Sequence, residues 1–439
     1  MKEPYATRRE RFAGMMGKAA AVFAAPPITV RNSDVENEYR QDSDLIYLTG
    51  FEEPEAVLVL APARPEGRVT LFVRGREPDK EIWTGRRAGP EGAIRDYGVD
   101  AAFPVSELKE RLPALLENVP RLYYRLGRNR SFDDVVFAAL DDIRRRARTG
   151  VAAPAEIVDP GEIAHELRLI KSPPEQAATR RAAEITCAAH LAAMQSCKPG
   201  QHEYEVQASV EYVFRKAGAT GTSFLSIVAA GANTTVLHYT SNRTRIGPTD
   251  LVLVDAGCEW EHYAADVTRT FPASGAFTSI QRSLYEVVLE ALEAALEEVR
   301  PGAAHDASHK RAVRVLTEGM VRLGLLKGEV DSLIEREAFK RYYPHNTSHW
   351  LGLDVHDVGR YKIEGQSRSL APGMILTVEP GLYVQPDDME APEAFRGIGV
   401  RIEDNVLVTE TGREILTNAV PKAPMEVEAV MRRGPSISI

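Results

Sequence analysis

The sequence predicts an α/β amino-terminal domain followed by an α+β domain made of two similar halves. Three observations predict it: a change of pattern near residue 168, an element order that recurs beyond it, and four acids on strands where apolar residues are expected. At 439 residues the chain exceeds the size at which one core usually stops growing, so two domains, 1–168 and 169–439, are expected. Its 44% hydrophobic and 27% charged residues are those of a globular protein.

In the first domain, charged helical stretches alternate with short apolar runs. "AAAVFAAPP" reads as a first strand: it is short, ends in prolines and has no cleavage signal. "EAVLVLAP" and "RVTLFV" add strands, and the arginine run of "ALDDIRRRARTG" reads as a solvated helix face. At "IKSPPEQAATRRAAEITCAAHLAAMQ" two prolines stop the chain and Glu175 opens an alanine-rich helix. A second helix, "EYEVQASVEYVFRKAG", leads to strands "DLVLVDAG" and "DVTRTF". Two more helices, "SIQRSLYEVVLEALEAALEEV" and "KRAVRVLTEGMVRLG", lead to "MILTVEPGLYV" and "GVRIEDNVLV". Helix, helix, strand, strand recurs, which predicts a twofold-like domain with sheets inside and helices outside.

Charge and cysteine content exclude several classes. A net charge of -9 argues against nucleic acid as a partner. No apolar run reaches the roughly twenty residues of a membrane-spanning helix. Cys187, Cys197 and Cys258 follow no zinc or disulfide spacing and read as buried thiols, so a cytoplasmic protein is expected.

The acids carry the chemistry. "LVLVD" ends in Asp255 and "LTVEP" carries Glu379. Asp266 follows Asp255 by eleven residues. In a simple hairpin centred near Trp260 and Glu261 the two aspartates would lie opposite each other, with Cβ atoms roughly 5 Å apart. In "GVRIEDNV", alternation sets Arg401, Glu403 and Asn405 on one face and Val400, Ile402 and Asp404 on the other, with the apolar pair against the core. Taken singly, each acid is more simply a strand-end hydrogen-bonding group or an ion-pair partner. Together, Asp255, Asp266, Glu379 and Glu403 are untenable in a low-dielectric interior unless cations neutralise them. Oxygen-rich ligands with one imidazole suit two divalent ions, manganese first, with cobalt, zinc or iron as alternatives. Two such ions roughly 3.5 to 4 Å apart form a hydrolytic centre.

"HNTSHWLGLDVHD" holds three of the chain's ten histidines, His345, His349 and His356. Asn346 after the first histidine excludes the zinc-protease HExxH reading. One histidine completes the carboxylate set, and the others stand beside substrate. His238 follows the turn "AAGANTT", where backbone can approach a ligand.

"LHYT", "VDAGCEWEHYAADVTRTFP", "HNTSHWLGLDVHDVG", "LTVEPGLYV" and "GIGVRIEDNVLVT" resemble the metal-dependent Xaa-Pro aminopeptidases (aminopeptidase P) of the pita-bread metallopeptidases. "RNSDVENEYRQDSDLIYLTGFEEPEAVLVL" and "EIWTGRR" resemble that family's creatinase-like amino-terminal domain, so nearly the whole chain is covered. The resemblance implies release of the first residue from peptides with proline second, by attack of a metal-bridging hydroxide on the carbonyl before proline. It implies Asp255 on one metal, Asp266 and Glu403 bridging both, and His349 with Glu379 on the other. Glu379 would also carry the proton. His238, His345 and His356 would line the substrate site, with Tyr383 and Arg401 beside it. Asp34 and Trp83 would lie near active sites, the tryptophan reaching in from a neighbouring subunit, so a homo-oligomer, dimer or tetramer, is implied. Asn346 stands where the family usually has glycine, and its side chain would narrow the pocket. A prolidase shares the ligand set; a methionine aminopeptidase, a creatinase and a peptide-binding module with decayed ligands fit the residues less well.

Overall fold

A computed structural model describes residues 2–64 and 67–434. Its first unit, Met1–Arg168, is organised by apolar runs short enough to be buried on both faces. They form a six-stranded mixed sheet in the spatial order Ala101–Pro104, Val69–Val73, Val57–Leu60, Ala20–Ala24, Arg121–Tyr123, Glu156–Val158. Ala20–Ala24 is central, antiparallel to Val57–Leu60 and parallel to Arg121–Tyr123. Helices Leu108–Leu116 and Arg130–Arg145 bring Leu112, Leu116, Val136, Leu140 and Ile143 against Val22, Val59 and Phe72 on one face. Phe12 of helix Lys2–Met16 meets Phe23 and Tyr123 edge-on. Arg144 pairs with Asp141 in solvent, as expected for the arginine-rich helix.

The second unit, Leu169–Ile439, opens with helix Pro173–Ser196. Ser172 and Glu175 cap it reciprocally. The two prolines expected to precede this helix occupy its first turn, where no backbone N–H is required. Glu203–Lys216 follows, then an antiparallel sheet of Ile227–Ala230, Leu251–Ala256 and Val267–Pro272. Val252, Val254 and Ala256 pack against Ala182, Ile185, Val206 and Val210 of the helices, while Leu253 joins Ile227 and Ala229 on the opposite face. Helices Ser279–Glu297 and Ala307–Arg322 begin the second half. Its two long strands are each broken, into Ile375–Val378 and Gly381–Val384, and into Ile398–Arg401 and Asp404–Val408. Val378 pairs with Asp404 and Gly381 with Arg401, so one register runs through the gap and sets Glu379 opposite Glu403. Leu376, Val378, Val400, Ile402 and Val406 join the helices in a common core, so the expected apolar facing of Val400 and Ile402 holds.

The Asp255–Asp266 register differs from expectation. Asp255 pairs with Thr268, and Ala256 with Val267. The turn is centred one residue later, at Glu261 and His262, which take φ of 48° and 68°. Positive φ at both central residues lets a two-residue turn follow the strand twist. Asp266 is therefore a diagonal neighbour of Asp255, displaced two residues along the strand but on the same face. Gly257 sits where any side chain would collide with the Ala265 carbonyl.

Cys187, Cys197 and Cys258 are free and buried, and burial pushes their thiols up to about 11, about 12 and about 11. Among the described residues no helix is long and apolar enough to cross a membrane.

Asp404, fully buried, anchors this half from behind the strands. It receives Arg269 Nη2 at 2.8 Å, Lys422 Nζ at 2.6 Å and the Thr417 hydroxyl at 2.7 Å. Burial raises its pKa, but the two cations prevail and hold it at about 2. Substituting Asp404→Asn strands the buried Arg269 and the partly buried Lys422 and should cost about 3–5 kcal/mol in urea denaturation at pH 7. A depressed folded-state pKa stabilises above the unfolded carboxylate value. The gap between wild type and variant should therefore close as pH falls from about 4 toward 2.

Candidate metal centre

Breaks and ends of strands bring the acids together. Asp255 is the penultimate residue of its strand, Asp266 precedes the next, and Glu379 and Glu403 face each other where the second half's ladder is interrupted. Pro380 has no N–H to give the ladder, which accounts for the gap at Glu379. All four acids line one cavity of about 750 Å³, with His238, His345, His349, His356 and Arg401.

His349 is fixed by the backbone around it. Its carbonyl accepts the Thr377 N–H at 2.9 Å, and its own N–H donates to Thr377 Oγ1 at 3.2 Å. Nδ1 lies 3.0 Å from the Trp350 carbonyl and must donate to it. This leaves the Nε2 lone pair of a neutral ring free to ligate. Nε2 is 3.3 Å from Asp266 Oδ2 and 3.6 Å from Glu379 Oε1. One ligand atom each from Asp266, His349 and Glu403 fall within 4.8 Å of one another.

The electrostatics call for a cation. Burial pushes Asp255 up to about 6 against the pull of Arg401, with Asp266 adding to the rise. Burial pushes Glu379 up to about 7 despite His349 and Arg401. Glu403 rises well above the usual carboxylate range through burial and its neighbours Asp266, Glu379 and Asp255. Burial opposes charge on His349, yet its hydrogen bond to Asp266 and the nearby carboxylates raise it to about 9. Asp255 Oδ1 is buried with no hydrogen-bond partner. An orphaned carboxylate oxygen among acids that resist ionising is what a hard divalent cation satisfies.

Around this cluster the polar groups form one chain. Arg401 donates to Asp255 Oδ2 at 2.7 Å, to Thr268 Oγ1 at 3.0 Å and to the Tyr383 hydroxyl at 3.0 Å. Thr268 donates to Glu403 Oε2 at 2.7 Å, and Asn405 clamps the backbone N–H and carbonyl of Asp266. Tyr383 lies 2.9 Å from His345 Nε2, whose Nδ1 faces the Asn346 carbonyl at 2.8 Å. Burial, reinforced by Arg401, lowers His345 to about 3, so the ring is neutral and both its nitrogens are engaged. The His356 ring stands edge-on to His349 at 4.5 Å, and burial lowers its pKa too. His238 is exposed at the cavity wall. Asn346 also lines the cavity, and its φ is not positive, so asparagine fits this backbone without strain.

Asp34 and Trp83 belong to the first unit. Asp34 is exposed between the short strands Val30–Asn32 and Val35–Glu36. Trp83 is 87% exposed on helix Pro78–Thr84, which rules out a core indole. Sequence reasoning missed Thr268, Asn405, Thr347, His305 and His309. Thr268 and Asn405 sit at inward positions of their strands. The Thr347 hydroxyl lies 2.9 Å from His309 Nδ1, and His305 and His309, four apart at a helix start, line the cavity. That spacing was the available signal for the last two.

Residues 177–410 match metallopeptidase family M24, and residues 5–123 match the aminopeptidase P N-terminal domain family. The chain is 47% identical over 433 residues to the Xaa-Pro aminopeptidase of Escherichia coli (strain K12), covering 98% of each. It is 42% identical over 435 residues to the Xaa-Pro aminopeptidase of Haemophilus influenzae, covering 98% of this chain and 97% of that one. The solved Pseudomonas aeruginosa aminopeptidase PepP superposes with a TM-score of 0.97 at 49% identity, over 99% of this chain and 98% of the other. An Escherichia coli aminopeptidase P variant solved in complex with substrate gives 0.95 at 45% identity, over 98% of each. A clustered set of metal ligands, a matching catalytic domain and a matching amino-terminal domain agree. The chain belongs to the M24 pita-bread metallopeptidases as an Xaa-Pro aminopeptidase, a metal-dependent exopeptidase that removes the residue ahead of proline.

Proposed function

We propose that Asp255, Asp266, His349, Glu379 and Glu403 would hold two divalent cations in the cavity, manganese by preference. The observation that carries this is the buried, partnerless Asp255 Oδ1 beside three further acids. When bound, such cations would supply Lewis acidity toward a water and toward the carbonyl oxygen before proline. Arg401 occupies one oxygen of Asp255 and so directs the other inward. His238 and His356 orient the scissile carbonyl and the proline. His345 contributes through Tyr383, whose hydroxyl it fixes against Arg401. Glu379 holds the proton and passes it to the proline nitrogen as the C–N bond breaks. That nitrogen has no hydrogen of its own in the peptide and leaves only when protonated.

Chelation of the purified protein should abolish hydrolysis of an Xaa-Pro-Xaa tripeptide, and Mn²⁺ should restore it more fully than Zn²⁺. Activity in metal-free protein would refute the reading. The tripeptide should be cleaved faster than the Xaa-Pro dipeptide; the reverse order would indicate a prolidase.

Without metal, raised carboxylate values stabilise the fold at low pH and lose that contribution as pH rises through about 6 and 7. The lowered His345 and His190 add stability as pH rises toward 6.5, so the melting temperature of the apoprotein should fall between about pH 6.5 and 8, and added Mn²⁺ should reverse the fall. A flat apoprotein profile would count against the buried cluster.

The subunit reading is a homo-oligomer, dimer or tetramer, in a reducing cytoplasm, where three buried free thiols persist. Ile82 and Trp83, 80% and 87% exposed, are costly apolar surface unless another copy uses them, and Asp34 belongs to the same proposal. Light scattering should give a multiple of the 48.4 kDa chain mass, with Trp83→Ala lowering activity more than folding. A monomeric, fully active wild type would remove this role.

A further inference from the structure

Lys171 and Asp357 form an ion pair 2.9 Å long whose side chains are each 1% exposed. Neither lines the catalytic cavity. Removing two charges from water costs several kcal/mol per ion, and an apolar pair of similar volume is often as stable. What distinguishes this pair is the segment it holds. Residues 349–357 carry two of the cavity histidines without forming a helix or a strand. The His349 end is stitched to strand Ile375–Val378 by the Thr377 N–H to the His349 carbonyl and the Leu351 N–H to the Ile375 carbonyl. The His356 end is closed by the Asp357 N–H, which donates to the Trp350 carbonyl at 2.9 Å. Lys171 is itself fixed by its N–H to the Gly373 carbonyl at 2.8 Å, beside the same strand. Gly352 lies over the pair, where a Cβ would strike both Asp357 Oδ2 and Lys171 Cε.

We infer that Lys171 and Asp357 are positioning residues, an internal pin that sets His356 against His349 at the catalytic cavity. The inference rests on the proposed site, in which His349 ligates and His356 meets substrate. Loss of the ion pair would loosen the His356 end, which the Asp357 N–H ties to Trp350 of the same loop, and displacement by about 1 Å at a reacting group can lower a rate about a hundredfold. The pin acts on orientation rather than on metal affinity, because the acids and His349 keep their own supports.

Two variants of the metal-loaded full chain test it. K171M/D357N removes both charges at nearly constant shape, and G352A displaces the pair while keeping its charges. Each is compared with wild type in kcat and KM on an Xaa-Pro-Xaa tripeptide, bound metal per chain and melting temperature. The expected result is kcat lower by about ten- to a hundredfold, with KM within about threefold and metal content at the wild-type value. The proposal is overturned if K171M/D357N keeps kcat within about twofold of wild type, or loses it only in step with bound metal. Should K171M/D357N fail to fold, G352A decides by the same criteria. H356A is measured beside them. Lost activity in H356A with full activity in K171M/D357N removes the pin and leaves the site intact, whereas full activity in H356A removes both.

Discussion

Repulsion among buried carboxylates is the constraint from which the rest of the catalytic unit follows. Asp255, Asp266, Glu379 and Glu403 line one cavity where, among the described residues, Arg401 is the one permanent cation, in hydrogen-bonding contact with one of them. Like charges at such separations in a poorly solvated interior disfavour ionisation, and three of these acids are pushed well above ordinary carboxylate values. The protein supplies too little positive charge to neutralise the group. The deficit favours binding of divalent metal, and it is local because each acid is set in the strand framework.

That backbone is supplied by interrupted strands. A regular strand spends its N–H and C=O groups on the ladder and points alternate side chains into a core. At Glu379–Pro380 and at Ile402–Glu403 the ladder lapses while the register persists, so two glutamates remain directly opposed with room between them. In the first half the same end is reached differently. The late turn at Glu261–His262 shifts Asp266 two residues from Asp255, and Asn405 then grips the Asp266 backbone from the other half. The two halves share an element order, but they present their acids by different local devices.

The acids themselves were legible because a charge that ends an apolar run conflicts with burial, and a conflict repeated four times needs a common cause. The helices and strands were legible from period and caps, and Pro380 marked one strand break. Other features left no such trace. The register of Asp255 and Asp266 hung on a turn without the Asn-Gly or Asp-Gly signal that fixes hairpins, and its positive-φ residues, Glu261 and His262, are unusual there. The break at Ile402–Glu403 was invisible because alternation of side chains continues through it. Thr268 and Asn405 were missed because small polar residues are common in strands, and only the structure shows Thr268 between Arg401 and Glu403. The whole-chain resemblance supplied the metal assignments, which spacing alone had left open.

Glu403 and Asp404 separate a functional acid from a structural one within a single peptide bond. Both are buried, and alternation sends their side chains to opposite sides of the strand. Asp404 meets Arg269, Lys422 and Thr417, its charge is matched within the protein, and its pKa is drawn down to about 2. Glu403 meets one hydroxyl and three other acids, and its pKa is driven up. Burial is common to the two, so burial cannot be what marks the site. The sign of the unmatched charge is what marks it: where the fold closes its own account an acid is a brace, and where it leaves negative charge outstanding beside a cavity, an external cation completes the structure.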